Sequence, residues 1–126
     1  MDTSAFIALE SGRRLHLDAL PTEWSASVIT LGELTAGVLA ARDTPTRSRR
    51  LATVARLANL EVLPVTKAVA EHWARLRLLV AEHRRQVNNN DLWIAATAAA
   101  HQLPVVTQDA DFDVLAEVGG LQVIRV

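Results

Sequence analysis

The hydrophobic positions of this chain fall into short segments whose spacing alternates between strand and helix. Residues 24–30 (WSASVIT) alternate in polarity and end in β-branched residues, which predicts a strand. The short apolar runs at 104–107 (PVVT) and 121–126 (LQVIRV) predict two more. Residues 60–65 predict a fourth strand, which carries Pro64 near its end and therefore suits a sheet edge or a strand terminus.

Segments with helical spacing separate these strands. Helices are predicted over residues 4–11, from Thr30 to about 42, and over 46–59, 67–85, 91–103 and 109–118. Pro45 is expected to break the chain, and the polar residues 86–90 to form a loop. Short apolar strands that alternate with helices indicate βαβ units. The pattern predicts an α/β fold: a single domain over 1–126, built as a three-layer α/β/α sandwich with a short, mainly parallel central sheet.

Composition narrows the protein class further. Of 126 residues, 50% are hydrophobic and 21% charged, which excludes a disordered, collagenous or coiled-coil chain. The absence of cysteine excludes a disulfide framework, a thiolate zinc site and a cysteine nucleophile. At the start of the chain no basic segment precedes an apolar stretch, and no apolar run approaches about 18 residues. We therefore expect a cytoplasmic protein that does not contact the membrane.

Charge is unevenly distributed along the chain. Residues 42–85 contain ten Lys or Arg against four Asp or Glu, a net +6, whereas the whole chain carries −1, which leaves −7 for the rest. A basic middle beside acidic flanks predicts a phosphate-facing surface next to a cation-binding pocket. Solvated helix faces explain the same distribution, and charge alone does not exclude them.

Four acids occupy equivalent places, where a predicted strand or loop passes into a helix. They are Asp2, Glu33, Asp91 and Asp109. In an open α/β sheet the ligand crevice lies beyond the carboxyl ends of the strands, so acids from distant segments converge there. The topology therefore predicts a shared acidic pocket.

Helix capping is the alternative explanation for each acid taken singly. Asp is a favoured N-cap residue, and Thr30 to Glu33 matches a capping box. Four carboxylates in one pocket would, however, repel one another unless a divalent cation neutralises them. Because the available ligands are oxygens, we expect Mg²⁺ or Mn²⁺.

Four segments carry a family resemblance: DTSAFIALE, SVITLGELTAG, NDLWIAATA and VVTQDADFDVL. In this order and spacing they resemble the signature segments of the PIN-domain ribonucleases, in particular the VapC-type toxins of bacterial toxin–antitoxin pairs. The resemblance covers essentially the whole chain. It implies that Asp2, Asp91 and Asp109 hold the metal, and that Glu33 holds or orients the attacking water or a second ion.

The resemblance also assigns supporting residues. Thr3 or Ser4 and Thr107 match hydroxyl positions that orient the carboxylates, and Asp111 is expected to assist; capping and strand propensity are the alternative for the hydroxyls. Family members usually carry several apolar residues before the first acid, as a central strand, whereas here only Met1 precedes Asp2. Either the chain begins upstream, or that strand is built from very few residues.

The resemblance implies that the protein is a Mg²⁺- or Mn²⁺-dependent endoribonuclease, which hydrolyses phosphodiester bonds of RNA. It also implies that the substrate is a transfer RNA. Its expected partners are a cognate antitoxin protein and a second copy of the chain. The pairs Arg49/Arg50 and Arg84/Arg85 are predicted to contact phosphates. Two alternatives remain: a catalytically idle PIN-like module that binds RNA or protein, and a metal-dependent phosphatase.

Overall fold

The computed structural model describes residue 2 and residues 25–126. Its strands are β1 (Ser25–Ser27), β2 (Glu61–Leu63), β3 (Val105–Thr107) and β4 (Val123–Arg125). Its helices are α1 (Val28–Leu39), α2 (Thr44–Leu57), α3 (Lys67–Glu82), α4 (Asn89–Ala100) and α5 (Asp113–Gly119), and a 3-10 turn (Ala110–Phe112) precedes α5. The helix predicted over residues 4–11 lies outside the described residues. None of the described helices has the length and apolar character needed to cross a membrane.

The described strands form two parallel pairs. β1 pairs with β2, and β3 pairs with β4 so that Val106 lies opposite Ile124. The backbone N–H of Asp2 donates to the Val106 carbonyl at 2.9 Å. The N–H of Val105 and the carbonyl of Thr107 bond toward β4. Because successive residues turn their backbone groups to opposite sides, Asp2 lies along the side of β3 away from β4. The predicted α/β class with short parallel strands is confirmed.

Two hydrophobic clusters hold these elements together. The larger one joins α3, α4, β3 and α5 through buried side chains such as Leu76, Ile94, Val105 and Leu115. The smaller one joins β1, α1 and α2 through Ala26, Leu34 and Leu57. Every residue of α4 from position 94 to 98 is buried. α4 is therefore a central helix whose position is set by contacts on several sides.

The start of α1 differs from the sequence prediction. β1 ends at Ser27 and α1 begins at Val28, so the strand predicted over 24–30 is too long, and the helix begins before Thr30. The Ser27 hydroxyl caps the helix by accepting the Thr30 N–H at 3.1 Å, and Thr30 is fully buried. This cap and the burial override the strand preference of the β-branched residues. The predicted capping box is thus wrong, because Thr30 lies within the first turn.

Two other helix starts also move toward the N-terminus. Asp43 caps α2 by accepting the Thr46 N–H at 2.8 Å, and Pro45 lies within the first turn. Pro45 does not break this helix, because a first-turn residue needs no N–H donor. Asn88 caps α4 by accepting the Asn90 N–H at 2.8 Å. Asp91 therefore lies in the first turn of α4 and not at its start.

The end of α3 depends on a left-handed residue. α3 ends at Glu82, not at the predicted residue 85, and Arg84 adopts φ 53°. The Arg85 N–H then bonds back to the Val80 carbonyl at 3.0 Å, which closes the helix as in a Schellman motif. Glycine is usual at this position, because a side chain strains the left-handed conformation.

We expect Arg84→Gly to stabilise the protein, since it relieves this strain and keeps the terminating hydrogen bond. The gain should be roughly 0.5–1 kcal/mol, or roughly 2–5 °C in melting temperature by circular dichroism. Arg75→Gly is the matched control: it lies within α3 and should lose about 1 kcal/mol. A lower melting temperature for Arg84→Gly would show that its side chain makes a stabilising contact that outweighs the strain.

Candidate metal centre

Three carboxylates meet where β3 ends and α4 begins. Asp91, Asp109 and Asp111 each offer one carboxylate oxygen, and these oxygens lie within 4.8 Å of one another. Within residues 2 and 25–126, no other set of three acidic or histidine side chains meets this spacing. Asp91 and Asp109 are half-buried, whereas Asp111 is exposed. The centre is therefore open to solvent on one side.

The loop after β3 is shaped by hydrogen bonds of its own side chains. The buried Thr107 hydroxyl accepts the Asp109 N–H at 2.9 Å. Asp109 Oδ1 in turn accepts the Asp111 N–H at 2.9 Å and caps the 3-10 turn. Thr107 thus holds the backbone of Asp109. Asp109 both caps the 3-10 turn and belongs to the acidic group, because the turn brings the carboxylates of Asp109 and Asp111 to one side.

Asp2 and Glu33 approach the same centre from other elements. Asp2 is 3% exposed and lies beside β3 through its bond to Val106. Glu33, on α1, accepts a hydrogen bond at 3.5 Å from the side-chain amide of Asn90, the residue before Asp91. Neither belongs to the three-carboxylate group. Thr3 and Ser4, the predicted hydroxyl partners of the acids, lie outside the described residues.

The charges of all these acids act on Asp91. Burial, and then the charges of the four other carboxylates, raise the pKa of Asp91 from 3.8 to about 7; the four are, in decreasing order of effect, Asp109, Asp2, Asp111 and Glu33. No salt bridge joins Asp91, Asp109 or Asp111 to a basic side chain within the described part of the chain. Asp91 is thus a half-buried carboxyl surrounded by like charge.

This donor set fits a hard divalent cation. The converging atoms are carboxylate oxygens, the ligands that Mg²⁺ and Mn²⁺ prefer. A cation held among Asp91, Asp109 and Asp111 would offset the burial and the carboxylate repulsion that raise the pKa of Asp91. The chemistry of the three side chains is therefore consistent with a metal centre.

Sequence reasoning gave Asp111 only a supporting role and overlooked Asn90. The spacing of Asp109 and Asp111, two acids separated by one residue just after a strand, is the signal that could have grouped them. Asn90 stands in a run of three asparagines predicted as loop, and only the fold shows that its amide reaches Glu33.

The four predicted RNA-contacting arginines lie in different settings. Arg50 donates to the Gly37 carbonyl at 2.6 Å and so ties α2 to α1, and Arg49 donates to the Thr46 hydroxyl at 3.3 Å. Arg85 forms a surface ion pair with Glu117 at 3.0 Å. Arg84 is the left-handed residue that ends α3.

Comparisons with known proteins find similarity over most or all of the chain. The family model for the PIN domain matches residues 1–118. Ribonuclease VapC5 of Mycobacterium tuberculosis is 51% identical over 126 residues, which cover 100% of this chain and 93% of that protein. Ribonuclease VapC4 of the same organism is 41% identical over 117 residues, 93% of this chain and 90% of that protein. A crystal structure of VapBC-5, a toxin–antitoxin system of Mycobacterium tuberculosis, matches with a TM-score of 0.92 and 48% identity, covering 99% of this chain and 95% of that one.

We expect the metal-free protein to lose stability as pH rises from about 4 through about 7. The pKa of Asp91 is higher in the folded state, so its contribution to stability is complete below the unfolded value of 3.8 and is lost as pH passes about 7. Asp91→Asn removes this titration. In chelator, its melting temperature should therefore fall less over this range and exceed that of the unsubstituted protein near pH 8.

Asp113→Asn is the matched control, because Asp113 is an exposed acid that pairs with Arg125 at 3.4 Å, outside the acidic centre. It should preserve the slope of melting temperature against pH. Parallel curves for Asp91→Asn and the unsubstituted protein would show that Asp91 does not titrate in this range.

Proposed function

The chain belongs to the PIN-domain family, and from this premise we propose that it is a metal-dependent endoribonuclease acting as the toxin of a toxin–antitoxin pair. The observation that carries the proposal is the approach of carboxylate oxygens of Asp91, Asp109 and Asp111 to within 4.8 Å of one another. An idle binding module has no need of such a costly arrangement. The names of its full-length relatives, ribonucleases of the VapC type, support RNA as the substrate.

The position of each acid indicates its proposed role. Asp91, Asp109 and Asp111 would hold a Mg²⁺ or Mn²⁺ ion, with Asp2 as a further ligand from the side of β3. A bound divalent ion supplies charge stabilisation to the transferring phosphoryl group and lowers the pKa of water. Glu33, hydrogen-bonded to Asn90, would orient the attacking water. The bonds from Thr107 and Asp109 to the backbone keep the loop carboxylates in position.

RNA would reach this centre across the basic middle of the chain. We propose phosphate contacts for Arg49, Arg50, Arg84 and Arg85, which would position RNA without reading its sequence. Arg50 and Arg84 also have structural roles, as the bond to Gly37 and the left-handed helix end show. On the basis of the resemblance to the family, we further propose that the substrate is a transfer RNA.

The toxin role implies a neutralising partner. The similar crystal structure is of a toxin–antitoxin system, which supports an antitoxin for this chain as well. We propose that a basic side chain of the antitoxin pairs with the acids and competes with the metal. A homodimer also remains a proposal.

Asp91→Asn should reduce cleavage of RNA in Mg²⁺ by at least about 100-fold, because an amide removes a charged metal ligand. The fold should persist, since Asn88 and not Asp91 caps α4. Cleavage of total RNA by the pure protein, with Mg²⁺, Mn²⁺ or chelator, measures the effect by gel electrophoresis.

Asp113→Asn, which alters an acid outside the centre, should cleave at the unsubstituted rate. Equal cleavage by Asp91→Asn would refute the acidic centre as the active site. Release of phosphate from small phosphomonoesters without RNA cleavage would favour the phosphatase alternative.

Expression of this chain alone should arrest bacterial growth, whereas Asp91→Asn should be harmless at the same protein level. Co-expression of the product of the neighbouring gene should restore growth, because an antitoxin that covers the acids blocks cleavage. Colony counts after induction measure both effects. Normal growth with active, soluble enzyme would contradict the toxin role.

A further inference from the structure

A cavity of about 890 Å³ opens beside the acidic centre. Asp111 belongs both to its wall and to the three-carboxylate group. Asn88 and Asn89 also line it, just before Asp91 in the chain. The cavity therefore begins within one side chain of the centre, and its volume is within the range of small-ligand sites.

The lining of this cavity combines an apolar floor with an amide rim. Val80 and Leu92 are buried core residues, with Val87 and Val114 half-buried beside them. The rim carries the exposed side-chain amides of Gln86, Asn88 and Asn89. A nucleobase has apolar faces and an edge of hydrogen-bond donors and acceptors, so it matches both parts.

Two cations lie at the same cavity. The Arg77 guanidinium lies 5.3 Å from the centroid of the Trp73 ring, and both residues line the wall. Trp73 in turn stacks on Trp93 of α4, with ring centroids 4.8 Å apart and planes at 12°. Arg85, also in the lining, uses Nη1 for Glu117, and its guanidinium has further N–H donors. The cavity is therefore basic on the side formed by α3 and by Arg85, which follows the end of that helix.

We propose that this cavity binds the base of a nucleotide next to the scissile phosphate, and so selects the RNA sequence that is cut. The proposal rests on the proposed function for the position of that phosphate. The amide rim reads the base edge, and Arg77 and Arg85 contact neighbouring phosphates. Arg77 is preorganised for this contact by the Trp73 ring.

Binding of nucleoside 5′-monophosphates in chelator tests the cavity without requiring cleavage. NMR titration should show that at least one of AMP, GMP, CMP and UMP binds about fivefold or more tightly than ribose 5-phosphate, which lacks a base. The Trp73 indole signal should shift with the nucleotide. Equal binding of ribose 5-phosphate would show a phosphate site and overturn the proposal.

Ala81→Trp should fill the cavity and abolish this discrimination, since Ala81 is an exposed lining residue on α3. Ala70→Trp is the matched control, an exposed alanine of the same helix outside the lining, and should preserve discrimination. Arg77→Gln should weaken binding of the preferred nucleotide about fivefold or more, and Arg75→Gln, outside the lining, by less than about twofold. Discrimination that survives in Ala81→Trp would refute the cavity as the base site.

Mapping of cut sites in RNA separates this proposal from the proposed function. Ala81→Trp should alter the base preference beside the cut and raise KM more than it lowers kcat. If the unsubstituted protein binds a nucleotide more tightly than ribose 5-phosphate but cleaves no RNA, the ribonuclease proposal fails and the base site stands. If it cleaves RNA and Ala81→Trp cuts at the same sites with the same KM, the base site fails and the ribonuclease stands.

Discussion

Repulsion among carboxylates around a half-buried Asp91 is the interaction on which the rest of this structure depends. Burial and four neighbouring charges raise the pKa of Asp91 to about 7, so the metal-free centre is unfavourable for the fold. Proteins keep such strained arrangements where function uses them. Packing elsewhere must therefore hold the acids together. α4 and the loop after β3 are the elements that do so.

α4 meets this requirement because it is the most enclosed of the described helices. Its residues from 94 to 98 are all buried, and its first turn carries Asp91. The cap by Asn88 fixes the start of the helix without using an acid of the centre. On the facing loop, Thr107 is buried and holds the backbone at Asp109. Asp91 and Asp109 are thus carried by packed or hydrogen-bonded backbone, which limits how far their repulsion can separate them.

The same helix connects the acidic centre to the cavity. Trp93 lies on α4 and stacks on Trp73 of α3, so one contact fixes the cavity wall relative to Asp91. Asn88 belongs to the cavity rim while it caps α4. Trp73 and Trp93 are more readily explained as core or interface residues than as base-stacking platforms. Their mutual stacking agrees with a packing role. Because Trp73 also lines the cavity, this packing helps to shape the proposed ligand site.

Local pattern alone determined the order of the described strands and helices and the parallel α/β class. These features follow from backbone periodicity and turn residues, which neighbours in the chain decide. Exact helix starts did not follow, because several polar residues near each start can serve as the cap. The caps in the structure are Ser27, Asp43 and Asn88, and burial of Thr30 favours Ser27 at the start of α1. Only the tertiary structure placed Asp111 in the three-carboxylate group, raised the pKa of Asp91 and opened the cavity along α3. Each of these depends on distances between segments far apart in the chain, and packing of the core sets those distances.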